Sequence, residues 1–124
     1  CLTNNPGLCV WRVNNFKLEP IESKNHGFFY DGDSYIVLHT YLDKQKQLAY
    51  DVFMWVGKHS SADEYRTAAF KMAELDVIVL KDKAVQHREC QSSESSKFTN
   101  LFPTLTLLKG GVDSGIKLIE KEKP

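Results

Sequence analysis

The chain has 124 residues, of which 42% are apolar and 26% charged, which is the composition of one ordinary globular domain. Sixteen basic side chains balance sixteen acidic ones, and a formal charge of zero argues against a surface designed mainly for nucleic acid or acidic lipid. The longest apolar runs are far shorter than a membrane span, so no transmembrane segment is predicted.

Cysteine use and the chain ends add two expectations. Cys1, Cys9 and Cys90 are widely spaced and contain no CxxC pair, so neither a disulfide framework nor a thiolate zinc site is predicted, and a reducing cytoplasm fits best. We expect one domain over 1–124 with flexible ends at 1–6 and 117–124. A start at Cys rather than Met, without a signal-like segment, is compatible with a boundary inside a longer protein.

Five extended segments are predicted in the first half of the chain, at 8–13, 16–20, 28–30, 34–42 and 48–56. Pro20 makes the second an edge strand, because it cannot donate to a ladder. The fourth and fifth are apolar in both alternating sets, which is typical of central strands covered on two faces. A polar hairpin at 43–47 joins these two as an antiparallel pair. The turn at 31–33 contains Gly32, where a positive φ is expected.

One long helix is predicted over 60–80. Ser60 or Ser61 would be its N-cap, and Asp63 and Glu64 are acids suited to its first turn. β-branched residues near its end are weak helix formers, which leaves the last helical residue open by several positions.

The long helix carries apolar residues on two faces. At about 100° per residue, one stripe is predicted to pack on the core. This stripe consists of Tyr65, Ala68, Ala69, Met72 and Val79. Phe70 lies roughly 160° around the axis from Met72, so its ring faces outward unless sheet or loop residues cover it.

The last third predicts a strand at 84–90, a short amphipathic helix within 91–102 and a final strand at 104–108. The apolar side of the short helix is formed by Phe98, Leu101 and Phe102. The predicted fold class is α+β, with a central, mostly antiparallel five-stranded sheet between one long and one short helix. A helix is needed on each side because the central strands are apolar on both faces.

Several runs of this sequence resemble, in order, the first domain of the gelsolin, villin and severin family. The runs are GLCVWRV at 7–13, GDSY at 32–35, WVG at 55–57, DE at 63–64, AVQHRE at 84–89 and GGVDSG at 110–115. The VQHRE run followed by GGV at this distance is specific to the first domain. The resemblance extends from about Gly7 to Ile116, nearly the whole chain.

The resemblance implies a gelsolin-like domain that binds actin in a calcium-dependent way, with its long helix docked at the barbed face of actin. Such a module would cap filament ends or sequester monomers, and would contribute to severing as part of a longer protein. We expect a cytoplasmic, cytoskeleton-associated protein that is monomeric apart from actin. The implied actin-binding residues are Arg66, Phe70, Ala73, Glu74 and Val77.

The resemblance also implies bound Ca²⁺, a cation that takes only oxygen ligands. Within the domain, the implied ligands are the Gly32 and Val112 carbonyls and the Asp33 and Glu64 side chains. By spacing alone, Asp33 and Glu64 are equally well explained as a turn residue and a first-turn helix acid.

A second calcium ion in the family is shared with actin, and its positions correspond here to Asp76 and the Ala84 carbonyl. From Asp76 to Ala84 the chain has one residue more than the family pattern, and the usual glycine is replaced near positions 82–83. Phosphoinositide regulation in the family uses lysine-rich segments near the final strand. The segment 103–109 keeps a single lysine, so strong lipid regulation is not predicted.

Two other functional classes fit this sequence less well. Catalysis is not predicted, because an odd offset on a strand directs His87 and Cys90 to opposite faces, and no phosphate loop or GxSxG turn is present. The alternative is a calcium-binding interaction module of the same fold with a non-actin protein partner. It would keep Asp33 and Glu64 and tolerate any residue at position 70.

Overall fold

The computed structural model describes residues 5–110, whose main element is a five-stranded sheet with a helix on each face. The strands are β1 (Gly7–Asn14), β2 (Lys17–Pro20), β3 (Phe28–Tyr30), β4 (Ser34–Leu42), β5 (Leu48–Val56), β6 (Ala84–Cys90) and β7 (Thr106–Leu108). The helices are α1 (Ala62–Glu74), which continues as a π-helical turn (Leu75–Val79), α2 (Ser96–Thr99) and a 3-10 turn (Ser23–Asn25).

The main sheet has the order β2-β1-β4-β5-β6, and β3 and β7 form a separate parallel pair. In the main sheet only β5 and β6 are parallel. The predicted α+β class, with its mostly antiparallel five-stranded sheet between a long and a short helix, is therefore confirmed. No helix in the described part of the chain is long and apolar enough to cross a membrane.

The central pair β4 and β5 is buried on both faces, as its sequence predicts. Ile36 lies opposite Met54, and both belong to the core beneath α1. Tyr35 lies opposite Trp55, and both belong to the core beneath α2. Alternation along two neighbouring strands thus sends successive side chains into two separate cores.

Helix α1 begins with a capping box. The Ser61 hydroxyl oxygen accepts from the backbone N–H of Glu64 at 3.1 Å, and Glu64 Oε1 accepts from the backbone N–H of Ser61 at 3.2 Å. Ala68 and Met72 then pack on the sheet. The cap therefore fixes the side chain of Glu64 at the start of the helix, next to the core.

The predicted core stripe of α1 is wrong at Tyr65 and Val79, both of which are exposed. The inner face is centred on Glu64, Ala68 and Met72 instead, so Tyr65 lies at its edge. After Glu74 the helix widens into the π turn, in which the N–H of Leu80 donates to the Leu75 carbonyl at 3.0 Å. A wider turn advances less than 100° per residue, so it rotates Val79 outward, and Leu80 is buried instead.

Two other expectations are corrected. Gly32 does not adopt a positive φ; the described glycines that do are Gly27 and Gly110. The sequence predicts no disulfide framework, yet Cys9 is disulfide-bonded, whereas Cys90 is free. Cysteine count and spacing cannot show which sulfur atoms meet in space, because that depends on the fold.

Gly57 brings the end of β5 against the turn that precedes β4. Its N–H donates to the Asp33 carbonyl at 2.9 Å, and a Cβ added to it would lie 2.4 Å from the Asp31 carbonyl oxygen. No side chain fits at that distance, so only glycine lets the two segments approach this closely.

We therefore expect Gly57→Ala to reduce the free energy of unfolding by about 1–3 kcal/mol, because the backbone must shift to admit the methyl group. Urea unfolding followed by circular dichroism measures the loss. Gly7→Ala is the matched control, since nothing lies within 4 Å of an added Cβ there. Equal stability of the two variants would contradict the role assigned to Gly57.

Candidate functional site

Two carboxyl groups meet beside the start of α1. Asp33 comes from the turn before β4 and is fully buried, and Glu64 comes from the first turn of α1 and is almost fully buried. Asp33 lies close enough to Glu64 to raise the pKa of the Glu64 carboxyl group. Tertiary packing thus brings together the two predicted carboxylate ligands, which are 31 positions apart in the sequence.

Burial raises the pKa of Glu64 to about 7, and the nearby Asp33 carboxyl group acts in the same direction. Ser61 partly opposes the shift, because its backbone N–H and its hydroxyl group donate to the Glu64 carboxylate. The environment therefore disfavours two negative charges at this point unless a cation or a proton compensates one of them.

A positive charge from this chain already lies against the pair. Both Nε and Nη2 of Arg12 are 2.6 Å from Asp33 Oδ2. Sequence reasoning missed this residue, although a charged side chain inside an otherwise apolar strand was a usable signal.

The groups at this place suit a hard cation, because carboxylates and carbonyls supply only oxygen ligands. Gly32 is buried next to Asp33, and its N–H donates to the Gly110 carbonyl at 2.6 Å. Within 5–110, no three side chains of His, Cys, Asp or Glu come close enough to hold a metal ion. Backbone carbonyls would therefore have to complete the ligand set, and the predicted ligand Val112 lies outside the described residues.

Asp76, predicted for the ion shared with actin, is buried and hydrogen-bonded within the domain. Its Oδ1 accepts from the N–H of Ala84 at 3.0 Å, and its Oδ2 accepts from Nε2 of Gln86 at 2.9 Å. The two predicted positions are therefore neighbours. Lys81 and Asp82, between them, have positive φ values, and the π turn Leu75–Val79 precedes them.

The outer face of α1 and of the π turn that follows it carries the five residues predicted to bind actin. Phe70 is 64% exposed, so neither the sheet nor a loop covers its ring. Arg66, Ala73 and Val77 are also exposed, and Glu74 is half-buried with its carboxylate 3.4 Å from Lys71 Nζ. The five therefore share one accessible face, and sequence periodicity placed Phe70 outside the core correctly.

Sequence reasoning missed two further apolar side chains near this face. Phe16, in the turn between β1 and β2, is 62% exposed with a φ of 65°, a conformation that costs a non-glycine residue about 1 kcal/mol. Together with Phe70 it lines a cavity of about 410 Å³. Ile78 projects from the π turn and is exposed. The accessible apolar surface is thus broader than the helix face alone.

A family model described as Gelsolin repeat matches residues 15–99. The chain belongs to the gelsolin family. Relatives include gelsolin-like protein 1 of Lumbricus terrestris, 53% identical over 88% of this chain, and severin of Echinococcus granulosus, 47% identical over 95%. Villin-2 of Arabidopsis thaliana is 48% identical over 94%. The chain spans only 30%, 33% and 12% of the length of these three relatives, respectively.

One solved structure supports the fold of this gelsolin repeat. It is described as the complex of Thorarchaeota 2DGel3 with rabbit actin. Its similarity has a TM-score of 0.66 and 24% sequence identity, and covers 81% of this chain and 45% of that one. At this identity the likeness establishes a common fold.

Proposed function

We propose that this domain is a calcium-dependent actin-binding module that docks the outer face of α1 at the barbed face of actin. In that position it would cap filament ends or sequester monomers. The function is binding rather than catalysis, and its expected location is the cytoplasm, in association with the cytoskeleton. Membership of a family whose relatives include severin supports this proposal, as does the actin complex of the protein with a similar fold.

The observation that carries the proposal is the exposed apolar row on α1 and the π turn that follows it. Phe70 and Val77 are more than half exposed, although the opposite face of the helix packs tightly through Ala68 and Met72. Burying such a side chain against a partner is worth about 1.5–3 kcal/mol. Aromatic anchors of this kind contribute much of the affinity at protein interfaces.

We propose that Ca²⁺ binds where Asp33 and Glu64 meet. The Asp33 and Glu64 carboxylates would hold the ion with the Gly32 and Val112 carbonyls, and the ion would supply positive charge to two buried acids. Because Asp33 precedes β4 and Glu64 starts α1, the ligands themselves connect the sheet to the docking helix.

A second ion, shared with actin, is proposed at Asp76 and the Ala84 carbonyl. The adjacency of these two positions supports this site, whereas the internal hydrogen bonds of the Asp76 carboxylate compete with it. The alternative function is that of a calcium-binding interaction module with a protein partner other than actin. Titration with actin in calcium and in chelator separates the two.

We expect Phe70→Asp to weaken binding to monomeric actin by at least about 2 kcal/mol, roughly 30-fold, because it places a charge where a buried ring is needed. Titration of labelled actin in calcium and in chelator measures the affinity. Leu42→Asp, an exposed apolar position on β4, is the matched control and should bind like wild type. An unchanged melting temperature must accompany the Phe70→Asp defect, since unfolding would show that the ring belongs to the core.

We expect Glu64→Gln to abolish calcium-dependent stabilisation while leaving the metal-free protein folded, because the amide keeps the shape and removes the charge. Wild type at one hundred times Kd should gain about 2.7 kcal/mol. Thermal melts with and without calcium provide the measurement. The control is Asp63→Asn, which changes the neighbouring first-turn acid and should retain the calcium response. A full response from Glu64→Gln would exclude Glu64 as a ligand.

We expect weak severing at most from this chain alone, because severing usually requires a second domain that grips the filament side. Filament breakage followed by fluorescence microscopy tests this expectation. Vigorous severing by the isolated domain would contradict it.

A further inference from the structure

We propose that Arg12 is a permanent positive charge that stabilises the calcium-free domain and lowers its affinity for calcium. This inference rests on the proposed calcium role of Asp33 and Glu64. It assigns Arg12 as a positioning residue, since it would act on the ion through Asp33.

The geometry shows a guanidinium group fixed on two sides. Two of its nitrogen atoms lie 2.6 Å from the same buried oxygen of Asp33, and its Cζ lies 4.4 Å from the centre of the Tyr30 ring. The Arg12 side chain is only 21% exposed. A partly buried, charge-assisted contact of this kind is far less screened than a surface ion pair.

Strand pairing explains why Arg12 reaches this place. Arg12 lies opposite Tyr35 in the antiparallel pair of β1 and β4, and Asp33 precedes β4 by one residue. Tyr35 in turn accepts a hydrogen bond from the backbone N–H of Tyr30, which holds the aromatic support of Arg12. The arginine is therefore positioned by the sheet, independently of any ion.

Charge balance then assigns opposite effects to Arg12 with and without calcium. With both acids ionised, Asp33 and Glu64 carry two buried negative charges, and Arg12 compensates one of them. Leaving a buried charge without its partner is strongly destabilising. When calcium arrives, the same arginine repels it at short range, which lowers the affinity. Arg12 thus makes the calcium-free protein more stable and lowers its affinity for calcium.

The test compares Arg12→Met, Arg12→Lys and wild type by melting in chelator and by calorimetric titration with calcium. Methionine keeps much of the apolar stem of the side chain and removes the charge. Arg12→Met should melt roughly 10 °C lower in chelator, recover in calcium, and bind calcium at least about fivefold more tightly. Arg12→Lys, which keeps the charge, should stay close to wild type in affinity. Arg88→Met, at an exposed position on β6, should match wild type.

Weaker calcium binding by Arg12→Met, or a melting loss that saturating calcium does not reverse, would overturn the inference and make Arg12 a purely architectural residue. If Arg12→Met does not fold, Arg12→Lys decides, because tighter or much weaker calcium binding by that variant contradicts a charge effect. Failure of wild type to bind calcium would defeat the proposed calcium function and this inference together. Normal calcium binding by wild type with weaker binding by Arg12→Met would defeat this inference alone.

Discussion

The packing of the inner face of α1 on the central strands is the constraint on which the rest of the site depends. Ala68 and Met72 seat the helix on the core, and this contact sets its rotation. Once the rotation is set, Glu64 must point inward to Asp33, and Phe70 must point to solvent. One apolar contact thus orients both the proposed ion site and the proposed docking surface.

The burial of the two acids, Asp33 and Glu64, has an electrostatic cost that neighbouring groups reduce. Two carboxyl groups out of water are unfavourable unless hydrogen bonds, a proton or cations compensate them. Here the Ser61 cap and the Arg12 guanidinium share that task. Because these contacts come from β1, the turn before β4 and α1, the cluster also ties three parts of the domain together.

The errors of the sequence reading have physical causes. A 100° periodicity assumes an uninterrupted α-helix, and the π turn after Glu74 breaks that assumption at Val79. The sequence pattern places Phe16 in an edge strand, whereas the structure places it in an exposed turn with a positive φ beside Phe70. The role of Arg12 is not encoded locally, because its partner Asp33 is 21 positions away in the sequence. Each of these errors concerns either the point at which the backbone changes direction or a contact between distant parts of the chain.

By itself, the sequence determined most of the elements and the helix on each face of the sheet: alternation in β4 and β5 demanded two cores, Ser60 or Ser61 with the first-turn acids indicated the helix start, and the position of Phe70 put it outside the core. These properties depend on local periodicity and capping, which a few neighbouring residues encode. Only the tertiary structure decided that Asp33, Glu64 and Arg12 would converge. Their meeting depends on strand register and helix rotation, which no local stretch of sequence specifies.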